Sequence, residues 1–264
     1  MDAAAVRELR GRLVEHLTEE WLAAHLGVPG VELHRDPDAT WIVQPGSAWG
    51  NAAAQLRFSA DSVEGRLDTT GERYRRNRRG GGFRVSPYVM PADLPDRLRR
   101  RAFRCRKCFP GMHCDFFRAE AIRLRAGLEF TVVADVAVFA ETPWGHPYHG
   151  RITTAFRRFA MLSMAHVIAP RPRRVWQLAM LLEGRPAAAF ALQVHERGAG
   201  LWNIGVAEPF RRAGIGSALV ARTCAFAREQ GAAEAILIAG GMGYNVYRRV
   251  GFVEVCPWDS PTPR

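Results

Sequence analysis

Between Val206 and Ser217 the chain turns abruptly. Val206-Ala207-Glu208-Pro209-Phe210 closes a strand-like run, Arg211-Arg212-Ala213-Gly214-Ile215-Gly216-Ser217 follows, and a long amphipathic helix opens there. The start of a helix leaves its first N–H groups unpaired and carries about half a positive charge, a combination that binds phosphate oxygens. Gly214 and Gly216 have no Cβ, so a pyrophosphate can approach the backbone closely, and Arg211 and Arg212 add charge at the mouth of the cradle. Glycines at this spacing also occur simply where a helix packs tightly on a sheet. The context favours phosphate, because the motif follows a strand, opens a helix and has basic residues just upstream. The second candidate is Tyr247, four residues ahead of Gly251-Phe252. Its phenol is protonated at neutral pH and suits the role of an acid, although a buried Tyr is more commonly a core residue with one hydrogen bond.

The elements that must hold these residues are legible as a mixed α/β order. Glu129 to Val138 reads as a strand and Ile152 to Val167 as a helix. Val175 to Glu183, Pro186 to His195 and Leu201 to Val206 are three strands joined by the tight turns at Gly184-Arg185 and Gly198-Ala199-Gly200. A helix over Gly214 to Gln230, a strand over Glu234 to Ala239, a short helix around Tyr247 and a strand over Phe252 to Cys256 complete the order β-α-β-β-β-α-β-α-β.

Upstream, Val6, Leu9, Leu13, Leu17, Trp21 and Leu22 mark a first helix that ends before Gly27. Trp41-Ile42-Val43, Gln55 to Phe58 and Phe83 to Val89 are strand-like, with a turn-rich stretch over Gln44 to Asn51. Arg73 to Gly82 offers no apolar face and reads as a loop, and Pro91 to Pro95 leads into a short helix around Leu98. From Pro110 to Ala126 no clear period is visible. The domain boundary is expected near Arg125, giving domains 1–125 and 126–264.

With these residues in hand, the C-terminal half resembles the GNAT superfamily of acetyltransferases. Its signature is Arg or Gln, two variable residues, Gly, one variable residue, then Gly or Ala. Arg211, Gly214 and Gly216 fit it, and the family's later Tyr-x-x-x-Gly-Phe is matched by Tyr247, Gly251 and Phe252. The family segment Val-x-Pro-Glu-Phe-Arg is met with Glu208 and Pro209 in reverse order, and Gly240 stands where many members carry Asn. The resemblance implies a mixed α+β fold: a splayed sheet flanked by helices, opening between the strand at Val206 and the strand at Ile236. It also implies acetyl-CoA as acyl donor. Pantetheine would bond to backbone near Ile204 and Val206, and the pyrophosphate would sit on the loop and helix start from Arg211 through Arg212, Ala213, Gly214, Ile215 and Gly216 to Ser217. In that chemistry a neutral amine attacks the thioester, a backbone N–H near Val206 holds the oxyanion, and Tyr247 protonates the leaving thiolate. The base stays open among Glu208, Glu183, His195 and a water chain.

The first half carries an echo. Leu98-Arg99-Arg100-Arg101-Ala102-Phe103 overlays Tyr247-Arg248-Arg249-Val250-Gly251-Phe252, with Leu98 where the acid would stand and no Arg-x-x-Gly-x-Gly upstream. This looks like a tandem arrangement with a smaller, degenerate GNAT-like N-terminal copy that walls the acceptor pocket or stabilises its partner. The loop Pro143 to His149, with Trp144, Tyr148 and His149, is the other candidate pocket wall.

Composition bounds the rest. A chain of 264 residues with 48% apolar content can form one large or two small cores. It lacks the roughly 18 to 20 uninterrupted apolar residues of a membrane helix and the layout of a secretory signal, so a cytoplasmic protein is expected. Five cysteines are too few for a disulfide scaffold. Cys105, Cys108, His113 and Cys114 offer four zinc ligands by type, but adjacent residues on a strand face opposite ways, so thiols without metal are expected. The segment Arg73 to Lys107 holds 13 basic residues against Asp93 and Asp96, equal to the chain's whole net charge of +11. It is either a solvated face or a polyanion-binding surface. An N-acetyltransferase acting on an amine of a small molecule or protein is therefore the leading reading. A non-catalytic nucleic-acid-associated module using residues 73–107 is the alternative, weakened by the absence of regular aromatic interleaving.

Overall fold

The computed structural model describes residues 2–23, 27–43, 51–76, 81–104, 108–116, 126–134, 175–196, 198–259 and 261–263. They fall into two compact units, Met1–Pro110 with Cys256–Arg264, and Gly111–Val255. The expected boundary near Arg125, the Pro143 to His149 loop, the Ile152 to Val167 helix and Cys105 lie outside the described residues, as does nearly all of the Gln44 to Asn51 turn.

The first unit opens with helix α1 (Ala3–Ala23), followed by strands β1 (Glu32–Asp36), β2 (Ala39–Val43) and β3 (Ala52–Ala54). Helix α2 (Val63–Arg76), strand β4 (Gly82–Phe83), helix α3 (Leu94–Arg100) and strand β5 (Phe103–Arg104) come next. Strands β1, β2 and β3 form an antiparallel meander, and α2 crosses over to set β4 parallel to β3. Strands β2 and β3 are buried at every position, and Trp41, Leu56, Phe58, Leu67, Phe83 and Leu98 share one core. The buried acids of α1 are partnered. Glu15 accepts from Ser86 Oγ at 2.6 Å and from Arg57 Nη2 at 2.5 Å, and Glu19 accepts from Thr40 Oγ1 at 2.8 Å.

The second unit is organised by a seven-stranded sheet. Strand β6 (Cys108–Asp115) enters it from Gly111 onward. The other strands are β7 (Leu128–Val132), β8 (Val175–Leu182), β9 (Arg185–His195), β10 (Gly198–Val206), β11 (Glu234–Ile238) and β12 (Val253–Asp259), in the spatial order β12-β6-β11-β10-β9-β8-β7. A 3-10 turn (Glu208–Phe210) and helix α4 (Ile215–Glu229) join β10 to β11, and α5 (Tyr244–Val250) follows β11. Leu178, Phe190, Leu192, Leu201, Leu237 and Leu219 belong to one core beneath α4. A fully buried Leu or Phe contributes about 1.5–3 kcal/mol and an exposed ion pair about 0–1, so apolar cores hold both units together. The chain closes with β13 (Thr262–Pro263) against β5. Among the described residues no helix is long and apolar enough to cross a membrane.

Five sequence expectations change: Gly198 to Gly200 are not a turn but the first residues of β10, and the strand expected from Phe83 to Val89 ends at Phe83, with only an isolated bridge from Val85 to Asp259. Arg73 to Arg76 is not loop but the last turn of α2, whose buried stripe Val63, Leu67, Thr70 and Tyr74 is helical in spacing yet masked by polar neighbours. Residues 108–115 form a strand where no period was visible, because β6 is an inner strand covered on both faces and so lacks alternation. The strand expected at Gln55 ends at Ala54, since Gln55 adopts φ 53, and only an isolated bridge joins Arg57 to Met90.

Five basic residues of the Arg-rich segment are engaged in ion pairs. Arg73 pairs with Asp36, Arg76 with Glu72, Arg97 with Glu64 and Asp93, Arg99 with Asp96, and Arg101 with Glu64 and Asp68. Hydrogen bonds from Arg97, then Arg101, hold the Glu64 carboxyl below its ordinary range. Four acids outside the segment, Asp36, Glu64, Asp68 and Glu72, thus offset part of its excess charge.

The two units share one plan. In each, an antiparallel meander ends in a strand that a helix carries over to a parallel neighbour (β3 to β4 through α2, β10 to β11 through α4). A short helix follows (α3, α5). The corner after the short helix is left-handed in both, at Ala102 (φ 64) and at Gly251 (φ 108), and Phe103 and Phe252 come next. A non-glycine residue pays about 1–2 kcal/mol for that conformation. Ala102→Gly should therefore raise the free energy of unfolding measured in urea, by up to about 1 kcal/mol, and Gly251→Ala should lower it by about 1 kcal/mol. A destabilised Ala102→Gly would contradict the shared corner.

Candidate active site

The site is built where β10 leaves its neighbour. Strands β10 and β11 run parallel through Gly198↔Glu234, Ala199↔Ala235 and Gly200↔Ile236, and the ladder stops there. Beyond it β10 continues to Val206, paired with β9 but with a register shift between Trp202 and Gly205, where Asn203 takes φ 55. Such a bulge bends its strand and increases the local twist. The segment Leu201 to Val206 thus leaves the β11 ladder, and Ile204 and Val206 are half-buried along it.

The loop after Val206 is shaped for an anion. Arg211 Nε donates to the Val206 carbonyl at 3.1 Å, latching the loop onto the strand end. Arg212 (φ 61) and Gly214 (φ 78) are left-handed, and Gly214 is the N-cap of α4 without any side-chain cap. A left-handed residue followed by a helical one turns successive N–H groups toward one side, a concave anion site. No acid stands in the first turn of α4, so the helix dipole is not offset there. Arg212, Ala213 and Gly214 are exposed, Ile215 is buried in the core, and Gly216 and Ser217 are half-buried. A Cβ on Gly216 would meet Val206 Cγ2 at 3.5 Å and Val246 Cγ1 at 3.8 Å, ordinary contacts that the protein itself tolerates. Internal packing therefore does not require glycine at 216.

Tyr247 is 3% exposed and packs in the same core as the helix α4 residues, its ring edge-on to Phe252 with centroids 6.2 Å apart. Helical side chains lean toward the N-terminus, and Tyr247 leans over Gly243, one turn earlier. A Cβ at Gly243 would lie 2.6 Å from the phenolic oxygen. Gly243 is a slot for the phenol that the sequence reading did not single out. Its spacing of four from Tyr247 on a helix was the available signal. Gly200 serves Trp202 in the same way, with a Cβ falling 2.5 Å from the indole nitrogen, which donates to Gln193 Oε1 at 3.2 Å.

The residues left open as bases are dispersed. Glu208 is exposed on the 3-10 turn. Glu183 is an exposed turn residue at φ 52 next to Arg185, whose guanidinium lies over Phe210 at 5.5 Å. His195 faces Gly198 at the closed end of the ladder, roughly 25 Å along β10 from Val206. Among the described residues of the cysteine-histidine set, Cys108, His113 and Cys114 do not converge. Cys114 is buried in the core beneath α4, which pushes its thiol up to about 12, whereas His113, 1% exposed, faces the other way and meets Glu234. Cys108 is exposed at the strand's start.

Residues 139–252 match the model of the acetyltransferase (GNAT) family. Solved structures share the fold at low identity. A GCN5-related N-acetyltransferase from Kribbella flavida is 18% identical, with 92% of this chain and 94% of that one covered and a TM-score of 0.68. For a GCN5-related N-acetyltransferase from Sphaerobacter thermophilus the values are 15%, 92%, 84% and 0.58. A tandem GNAT protein from the clavulanic acid biosynthesis pathway gives 11%, 89%, 83% and 0.62. Among curated protein sequences none matches. Over residues 139–252 the chain thus matches the GNAT acetyltransferase family, and its fold is shared with solved GNAT structures.

Because Gly216 is free of internal constraint and a helix interior favours Ala over Gly by about 1 kcal/mol, Gly216→Ala should keep or raise Tm while weakening CoA binding at least about tenfold in calorimetry. Unchanged affinity would assign the glycine to packing alone.

Proposed function

We propose that the protein is an acetyl-CoA-dependent N-acetyltransferase that acylates an amine of a small molecule or protein. The observation that carries this reading is the open β10 edge running straight into a loop with two left-handed residues and an uncapped helix start. An extended pantetheine fits the first, against the N–H and C=O groups near Ile204 and Val206. A pyrophosphate fits the second, from Arg211 to Ser217. A backbone N–H near Val206 holds the oxyanion and Tyr247 delivers the proton to the departing thiolate. The Gly243 slot supports a phenol whose position matters.

The N-terminal residues, up to about Arg125, we read as a degenerate copy of the same unit. It repeats the meander, crossover helix and short helix but lacks each feature that would serve a cofactor. Leu98 is buried where Tyr247 stands. The loop into α2 carries Asp61 and two serines, with Ser59 Oγ accepting from the Ser62 N–H at 3.2 Å, and Glu64 lies in the first turn. Main-chain bonds Met90 N–H to Leu56 O at 2.9 Å and Phe58 N–H to Met90 O at 3.1 Å bridge the place where β10 and β11 stand apart. A relative in fold is described as tandem, in keeping with this reading. The ion-paired arginines leave the nucleic-acid alternative with weaker support, and the absence of a membrane-spanning helix among the described residues suits a cytoplasmic enzyme drawing on acyl-CoA.

Thiol release from acetyl-CoA in the presence of an amine panel tests the reaction. Tyr247→Phe should lower kcat about 100-fold while leaving the CoA dissociation constant unchanged. A variant that keeps most of its turnover would remove the acid and leave the cofactor site standing.

A further inference from the structure

The acyl-transfer reading needs a group to take a proton from the attacking amine, and the residues nearest the cradle in sequence do not supply one. The sheet face turned away from α4 does. Met112 and Cys114 of β6 lie in the core beneath α4, so His113 between them projects to the opposite face. His113 stands across from Ile236, and Ile236 stands across from Gly200, the last rung before β10 and β11 separate. Its ring is thus one strand, about 4.8 Å, beyond the apex of the opening. This face is not an ordinary core: in the rows beside the apex it carries Gln193, Trp202 and Gln177, all buried, and the Gln177 Oε1 has no protein partner. Buried polar side chains grouped on one face of a sheet suit a polar ligand better than packing.

We infer that His113 is the base for the amine acceptor and that Glu234 positions it; the inference rests on the acyl-transfer reading above. His113 Nε2 donates to Glu234 Oε2 at 2.6 Å, the carboxylate being diagonal to it on the neighbouring strand. That bond fixes the tautomer, leaving the lone pair of the neutral ring on Nδ1, and it stabilises the imidazolium once formed. In the reaction the amine nitrogen forms the C–N bond with the acetyl carbon and gives its proton to Nδ1. The C–S bond breaks, and the sulfur takes a proton from Tyr247. The proton held by the imidazole returns to solvent beside Glu234, which is 38% exposed, and Tyr247 is reprotonated from solvent. Among the described residues, Glu234 from β11, Asp115 from β6 and His195 from β9 are charged or titratable groups on the row next to this ring.

The test uses acetyl-CoA with spermidine, glucosamine, tryptamine and a lysine peptide, taking the fastest of the four. His113→Gln should lower kcat about 100-fold at pH 7 and abolish the acid limb of the kcat/KM profile. CoA affinity by calorimetry should be unchanged. Glu234→Gln, at a partly exposed side chain, should lower kcat at least about tenfold and move the acid limb, and it decides the matter if His113→Gln folds poorly. Wild-type turnover with both variants within about threefold of it and the same acid limb would overturn the base while sparing the acyl-transfer reading. Absence of thiol release by the wild type with all four amines would overturn both.

Discussion

Strands β10 and β11 hydrogen-bond as parallel neighbours over three residue pairs and then diverge at Gly200 and Ile236. The divergence has a local cause. The register shift between Trp202 and Gly205, with Asn203 left-handed, turns β10 off the line of its partner while β9 still holds its other edge. Strand β11 does not lose its structure for lack of β10, because β6 pairs with it along its whole length from Glu234 to Ile238. One edge is thus kept straight by a third strand while the other is bent away. Backbone groups that would normally close a ladder are left facing an opening, and unpaired groups of that kind are what an amide-rich pantetheine arm can satisfy.

The same plan without that divergence yields a different product. In the first unit the crossover helix begins behind serines and acids, and the strand edge is bridged by main-chain bonds around Met90. A buried Leu98 packs where a phenol stands in the second unit. Comparison of the two isolates what the chemistry requires from what the fold requires. The meander, the crossover helix and the left-handed corner belong to the fold. The open edge, the left-handed Arg212 and Gly214, and the Gly243 slot are what the second unit adds, and the proposed site is built on them.

Legibility in the sequence followed how local each signal was. The turn from Arg211 into α4 could be read because glycine, arginine and helix start lie within seven residues, and the meander could be read because Gly184 turns the chain between apolar runs, whereas Gly198 to Gly200, expected as a turn, open β10. Helix α2 was missed because its buried positions, Val63, Leu67, Thr70 and Tyr74, include a threonine and sit among seven charged residues. Strand β6 was missed because an inner strand has no alternation to show, and its neighbours lie more than a hundred residues away in the chain. For the same reason the meeting of His113 with Glu234 has no sequence signature: β-register creates it.

Backbone amide hydrogen exchange with and without saturating CoA addresses the open edge and the cradle together. Protection should appear at Ile204 and Val206 and at Ile215 to Ser217, with no change over Leu56 to Ser62, the corresponding stretch of the first unit. Uniform exchange across Ile204 to Ser217 in the presence of bound CoA, or protection over Leu56 to Ser62 instead, would contradict the assignment of the cofactor site to the diverging strands.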